Sequence, residues 1–278
     1  MNKTRHLLLL AGLCVSGWTH AAAAPTASVA SAVAVASDEK AVQKVRTPFL
    51  DGWDQVPLQV LEAQAAKYRG TYYLEGLNNS KRIALTFDDG PSQYTERLLK
   101  VLAKYQVKAT FFELAEHVQS HPDAARAVLA GGHTIANHTY DHPYLTKLDN
   151  GKFWQTEMGR ADEIFRDKLG ISPTLMRPPY GALNDEQIAD LGQHGYKAIL
   201  WSVDTQDWYK ALHLGAADAI YKTVMDYVHP EAIILMHDGG GNRTYTIDAV
   251  ERLIPALQAQ GYQFVTVDQL LGVAPYRK

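Results

Sequence analysis

Arg82-Ile83-Ala84-Leu85-Thr86-Phe87-Asp88-Asp89-Gly90-Pro91 is an apolar run that stops on two adjacent carboxylates and a Gly-Pro break. Ile83 to Phe87 reads as a strand buried on both faces, and Gly90 with Pro91 ends it. Adjacent side chains on a strand point to opposite sides, yet at a frayed end both Asp88 and Asp89 can turn toward one cavity. No Lys or Arg is adjacent to them, so one carboxylate needs a metal ion or a distant arginine. An Asp-Asp-Gly sequence also makes an ordinary solvated turn. The segments that follow decide between the two.

Downstream, apolar runs alternate with amphipathic ones. Strands are expected at Arg82–Phe87, Ala109–Glu113, Thr134–Asn137, Thr174–Arg177, Ala198–Val203, Ala232–Met236 and Phe264–Val267. Helices are expected at Tyr94–Tyr105, Asp123–Ala130, Phe153–Leu169, Asp185–His194, Ala216–Val228 and Ile247–Gln260. Gly131, Gly170, Gly195 and Gly261 follow four of these as left-handed caps. The alternation predicts an α/β fold, a parallel sheet with helices outside. Periodicity alone leaves open whether the sheet closes into a barrel or stays open and doubly wound. Chemistry-bearing residues, however, follow several different strands: Asp88-Asp89, His138 and His142, Arg177 to Gly181, Asp204 to Trp208, and His237-Asp238. A barrel gathers strand ends in this way, whereas an open sheet concentrates its site at one switch point.

The chain has 278 residues, 46% hydrophobic and 21% charged, an ordinary globular composition. A net charge of −3 gives no clustered basic surface for nucleic acid. Residues 1–24 read as a signal peptide: Lys3 and Arg5, then apolar Leu7 to Val15, then small residues to Ala24. Its apolar part is too short for a permanent membrane span. Losing Lys3 and Arg5 takes the formal charge from −3 to −5, because no acidic residue precedes Asp38. Cys14, the single cysteine, leaves with the leader; Leu13 before it does not suit a lipoprotein signal. The expectation is an exported protein, periplasmic or secreted, with no disulfide or thiolate ligand. Residues 25–47, rich in Ala, Ser and Val, read as a flexible linker. Residues 48–79 read as an N-terminal extension packed on the main domain, with a helix around Leu58 to Tyr68, and 80–272 as the catalytic domain. A monomer is the default expectation.

His138-Thr139-Tyr140-Asp141-His142 spaces two imidazoles four residues apart, and on a helical turn both face one side. With one carboxylate from Asp88-Asp89 they make a set of two His and one Asp, which leaves coordination positions open for water and substrate. His237 ends the apolar run Ile234-Leu235-Met236; it reads as a satisfied core histidine or as a general acid tuned by a carboxylate. In Arg177-Pro178-Pro179-Tyr180-Gly181 the prolines hold the backbone extended. That presents the Tyr180 N–H to a developing oxyanion, or simply makes a stiff loop. Asp204 and Asp207 are carboxylates for pairing with Arg177 or His237, and Trp208 is an apolar wall. Trp201, Tyr180 and Tyr209 present flat faces suited to sugar rings, or to packing. The other histidines, His117 among them, read as surface or packing residues.

Taken together and in order, these segments resemble the motif set of the polysaccharide deacetylase family, carbohydrate esterase family 4 (the NodB homology domain), over roughly residues 80–272. The resemblance implies a deformed (β/α)7 barrel. It implies Asp88 as general base and Asp89, His138 and His142 as ligands of a divalent metal, with zinc first and cobalt, nickel or manganese as alternatives. Arg177 would orient the base and the Tyr180 N–H would hold the oxyanion. Asp207, beside Trp208, would support the charge network, Leu235 would wall the acetyl methyl, and His237 would be the general acid. No catalytic position is substituted. The one departure is Phe112-Glu113-Leu114-Ala115, where relatives usually carry an apolar residue and then Gly.

The expected reaction is metal-assisted hydrolysis of an acetyl group on a glycan, with peptidoglycan, chitin-like chains and poly-N-acetylglucosamine as substrates of the amide kind. An O-acetyl ester deacetylase, such as an acetylxylan esterase, is the alternative. A non-haem iron oxygenase shares the two-His-one-carboxylate set but has no use for the second Asp, Arg177 or His237. A catalytically silent glycan-binding module would need none of them.

Overall fold

The computed structural model describes residues 56–210 and 213–278. The expected leader with Cys14, the linker and the first part of the extension, 48–55, lie outside the described residues.

Nine strands form one sheet among the described residues: β1 (Tyr72–Tyr73), β2 (Arg82–Asp88), β3 (Thr110–Glu113), β4 (Thr134–Asn137), β5 (Leu175–Met176), β6 (Lys197–Ile199), β7 (Val203–Asp204), β8 (Ile233–His237) and β9 (Gln263–Phe264). Their order is β1-β6-β5-β4-β3-β2-β8-β7, with β9 beside β2, and every strand pairing is parallel. The helices of the crossovers cover the outer face, so both faces of the strands are buried.

Alternation along the strands sorts side chains into two sets. Ile83, Leu85, Phe87, Phe111, Ile135, Ile234 and Met236 pack outward against the helices. Ala84, Phe112, Ala136, Leu175, Ile199 and Ile233 form the inner cluster. Two residues further along each strand, the inward series reaches Thr86 and then Asp88, His138, Arg177, Trp201, Leu235 and then His237. The period of two that builds the inner core therefore also aims the functional side chains at one mouth.

The run Ala198–Val203, read as one strand, is two. β6 lies between β5 and β1, while β7 lies beside β8 at the far end of the sheet. At the break, the Leu200 N–H donates to the Tyr73 carbonyl (2.8 Å) and the Ser202 N–H to the Ile233 carbonyl (3.1 Å). The segment thus crosses from one side of the sheet to the other, which curls it into the deformed barrel. Tyr72 and Tyr73 form a strand that periodicity did not pick out; they follow the helix Leu58–Lys67 and pair with Ala198 and Ile199.

The expected helix over Phe153–Leu169 starts as a π-helix, Phe153–Met158, before the α-helix Gly159–Leu169. A short helix, Ala115–Ser120, also forms where none was expected. Gly170, Gly195 and Gly261 have positive φ as their cap role requires; after the helix Pro122–Ala130 it is Gly132, not Gly131, that has positive φ.

Candidate active site

Asp88 continues the inward series of β2. The Arg177 guanidinium is fully buried, donating from Nη1 to Asp88 Oδ1 (2.7 Å) and to Thr86 Oγ1 (2.8 Å). Its remaining donors go to the Ile199 and Leu200 carbonyls (3.0 Å each), and its plane lies over the Phe112 ring. Burial pushes Arg177 down from its ordinary value, opposed by the charge and hydrogen bond of Asp88. The guanidinium is thereby locked, and Asp88 has one oxygen committed to it.

Asp89 takes a different environment. Its φ of 70° turns the backbone out of the strand, and the His117 Nδ1–H donates to its carbonyl (2.9 Å). Gly239 packs directly on it; a Cβ there would fall 1.9 Å from the Asp89 carbonyl oxygen, so no other residue fits. Asp89 Oδ1 is buried without a hydrogen-bond partner. It lies 3.4 Å from His138 Nε2 and 3.6 Å from His142 Nε2, and the three donor atoms sit within 4.8 Å of one another.

The His138–His142 segment is a loop, not the helical turn that the spacing suggested. Thr139 and His142 both have positive φ (76° and 67°). Side chains replace helical hydrogen bonds: Asn137 Oδ1 accepts from the Thr139 N–H (2.7 Å) and Thr139 Oγ1 from the His142 N–H (3.2 Å). The two rings still meet, 5.0 Å apart. His138 Nδ1 bonds the Arg177 carbonyl at 2.7 Å. A carbonyl only accepts, so Nδ1 carries the proton and the Nε2 lone pair faces Asp89. Burial, then the neighbouring His138, push the His142 imidazole down to about 4 and keep it neutral. Burial alone would raise Asp89, but the imidazoles of His138, His237 and His142 around it outweigh burial and hold the carboxyl well below its ordinary range. A neutral imidazole, an aimed lone pair and an orphaned buried carboxylate oxygen fit a divalent cation.

On the opposite wall, Asp207 pairs with His237 rather than with Arg177. Asp207 Oδ1 is 2.7 Å from His237 Nδ1, and Oδ2 accepts from the His237 N–H (2.9 Å) and the Thr246 hydroxyl (2.8 Å). Burial pushes His237 down, yet the charge and hydrogen bond of Asp207 win, and its pKa is raised to about 9. With Nδ1–H bound to Asp207, Nε2–H is left for the cavity. That cavity, of about 480 Å³, is lined by the two acids, His138, His142, His237 and Leu235, with Tyr180, Trp201 and Trp208 on its walls. Tyr209 is not among its lining residues. Pro179–Gly181 is a single 3₁₀ turn with Tyr180 at φ 59°, tighter than the extended backbone expected from the prolines. The Tyr180 N–H donates to no group among the described residues.

Sequence reasoning missed several contributors. Arg243 is almost fully buried, lines the cavity and donates to the Gly239 and Gly240 carbonyls; the run Gly239-Gly240-Gly241 before it was the available signal. Asp204, named from the sequence as a carboxylate but given no role there, lines the cavity with its carboxyl pushed up to about 6 by burial. Val56 and Leu61, from the helix and its lead-in, supply an apolar wall. His117, read as a surface or packing residue, anchors Asp89. Glu113, the departure from the expected pattern, is fully buried with both carboxylate oxygens unpartnered, and its carboxyl is raised well above its ordinary value by burial and then by Asp238.

The family model described as polysaccharide deacetylase matches residues 76–199. A peptidoglycan-N-acetylglucosamine deacetylase of Bacillus cereus is 38% identical over 197 residues, 70% of this chain and 90% of its own. A chitooligosaccharide deacetylase of Bradyrhizobium sp. is 32% identical over 206 residues, 70% of this chain and 92% of its own. A solved peptidoglycan N-acetylglucosamine deacetylase, in complex with 4-naphthalen-1-yl-N-oxidanyl-benzamide, superposes with a TM-score of 0.74 at 33% identity, covering 78% of this chain and all (100%) of the other.

Proposed function

Because the chain belongs to the polysaccharide deacetylase family, we propose that the cavity between Asp88 and His237 is where it removes N-acetyl groups from a glycan, with peptidoglycan ahead of chitin-like chains and poly-N-acetylglucosamine. The enzyme is an amide-acting hydrolase that releases acetate and leaves a free amino sugar. One observation carries the reading: two separately wired proton carriers, Asp88 on Arg177 and His237 on Asp207, flank the Asp89–His138–His142 set in one cavity. A non-haem iron oxygenase has no work for either pair. A silent binding module has no need of them.

Asp89, His138 and His142 hold the metal, for which zinc is our choice. When bound, the ion supplies Lewis acidity toward the acetyl carbonyl and the attacking water. Asp88, kept in one orientation by Arg177, takes the water's proton. The Tyr180 N–H meets the oxyanion that develops at the former carbonyl oxygen. Leu235 and Trp208 pack around the acetyl group. His237 delivers its Nε2 proton to the departing nitrogen, so the amine leaves neutral.

This division of labour sets a pH dependence. His237 must hold its proton to act, so activity falls as pH rises through about 9. In Asp207→Asn the cause of the raised value is removed, and the alkaline limb of kcat/KM should move down toward the ordinary imidazole value of about 6.5. The variant would lose far more activity at pH 8 than at pH 6. A limb left in place would remove His237 from the role of acid.

Acetate release from a panel of acetylated glycans, with and without a chelator, tests the function itself. Release from peptidoglycan or a chitin oligomer, abolished by chelator and restored by zinc, is the expected result. Release unaffected by chelation defeats the metal reading. Export to the periplasm or the cell exterior, after removal of residues 1–24, would bring the enzyme to such a glycan. No helix among the described residues is long and apolar enough to cross a membrane.

A further inference from the structure

The loop that carries His138 and His142 cannot hold its own shape. Thr139, a β-branched residue, sits at φ 76° and His142 at φ 67°, conformations their side chains disfavour. An account of the backbone N–H groups shows what holds the loop there. The His138 N–H goes to the Glu113 carbonyl (3.0 Å), the Thr139 N–H to Asn137 Oδ1, and the His142 N–H to Thr139 Oγ1. The two between them have one acceptor, Glu157 Oε2, at 3.0 Å from the Tyr140 nitrogen and 3.5 Å from that of Asp141.

Glu157 is only 4% exposed, and its other oxygen takes the Thr156 hydroxyl at 3.4 Å. Its position depends on the π-helix, whose buried face is Phe153, Glu157 and Met158. The wide turn closes through the Gly159 N–H on the Trp154 carbonyl, five residues back. A Cβ at Gly159 would fall 2.7 Å from that oxygen, so glycine is required for the turn. An irregular helix, a buried acid and a glycine thus serve one outcome, an oxygen set against the middle of the loop.

We propose that Glu157 is a positioning residue for the metal ligands: by accepting both amides it sets the spacing of the His138 and His142 rings. The proposal rests on the reading of Asp89, His138 and His142 as the metal set. Groups that orient metal ligands without touching the ion change affinity by about 10- to 100-fold when removed.

The test is zinc affinity of the full chain, stripped and titrated against a chromophoric chelator, with folding checked by far-UV circular dichroism. Glu157→Leu removes the acceptor at similar size and should weaken zinc binding by about 10- to 100-fold. Glu157→Gln keeps an acceptor oxygen and should stay within about threefold of wild type, a rescue that a packing role would not single out. Equal affinity in Glu157→Leu and wild type would overturn the proposal, as would equal losses in the two variants. Should Glu157→Leu fail to fold, Gly159→Ala keeps the glutamate in the chain but shifts the turn that positions its carboxylate. Weakened zinc binding then supports the proposal, and unchanged binding overturns it. His138→Ala separates the two readings. If it binds zinc as wild type does, the metal set is wrong and the proposal goes with it. If it loses zinc while Glu157→Leu keeps it, the proposal alone is wrong.

Discussion

Asp88→Asn is expected to lower kcat for acetate release by about 10²- to 10⁴-fold, the range for loss of a general base, while the chain keeps its metal. That span corresponds to about 3 to 5 kcal/mol of lost transition-state stabilisation. The metal should stay because Asp88 is outside the donor set: its Oδ2 is 3.8 Å from His138 Nε2, whereas Asp89 Oδ1 reaches both imidazoles. The fold should also survive. Asparagine can still accept from Arg177 through its amide oxygen, and the other guanidinium donors remain bound to Thr86, Ile199 and Leu200. What asparagine cannot do is take a proton. KM should change little, since the lost interaction is made with the reacting water. Turnover within about threefold of wild type, with metal content matched, would show that another group serves as base and would reassign Asp88 to holding Arg177 in place.

The same residues show how far a sequence can be read. Ile83 to Phe87 was legible as a strand because a parallel strand buried on both faces must be continuously apolar. The position of Asp88 and His237 at strand ends followed from that, but the number of strands did not: seven were expected and nine form among the described residues. The crossing at Leu200–Ser202 did not follow. Both halves of that run are buried, so apolar patterning is identical whether the segment pairs with β5 or with β8, and only partners far away in sequence (Tyr73 and Ile233) decide. The imidazole pair was found for an incomplete reason. Four-residue spacing serves a helix and this loop equally well, and what distinguishes them is the wiring of Asn137, Thr139 and Glu157 to backbone N–H groups. Asp207 was seen as a carboxylate in search of a cation, but its choice of His237 over Arg177 follows from the pairing of β7, which it follows, with β8, which His237 ends. Arg243 was missed altogether. An arginine just ahead of an amphipathic helix, here Thr244–Ala259, reads as solvated, and its burial shows only in the fold, where it donates to the Gly239 and Gly240 carbonyls.

His138→Ala should weaken metal binding by more than about 100-fold, beyond the range seen when only the supports of a ligand are removed, and acetate release should fall to the level of chelated wild type. Two features make His138 the most telling member of its set. It is almost fully buried, 2% exposed, so no water or mobile side chain can readily stand in for it. Its proton is committed to the Arg177 carbonyl, so its lone pair has one direction in which to act. Loss of the ring therefore severs a link between the two halves of the site, the backbone that carries the guanidinium on Asp88 and the donor atoms around Asp89. The packing alternative makes the opposite forecast. A core histidine that only fills space would, on truncation, lower stability by the cavity it leaves and spare the metal affinity of the folded fraction. Measuring affinity and melting temperature on the same preparation separates the two outcomes. Lost affinity in a variant that still unfolds cooperatively assigns His138 to the metal, and retained affinity in a destabilised variant assigns it to the core.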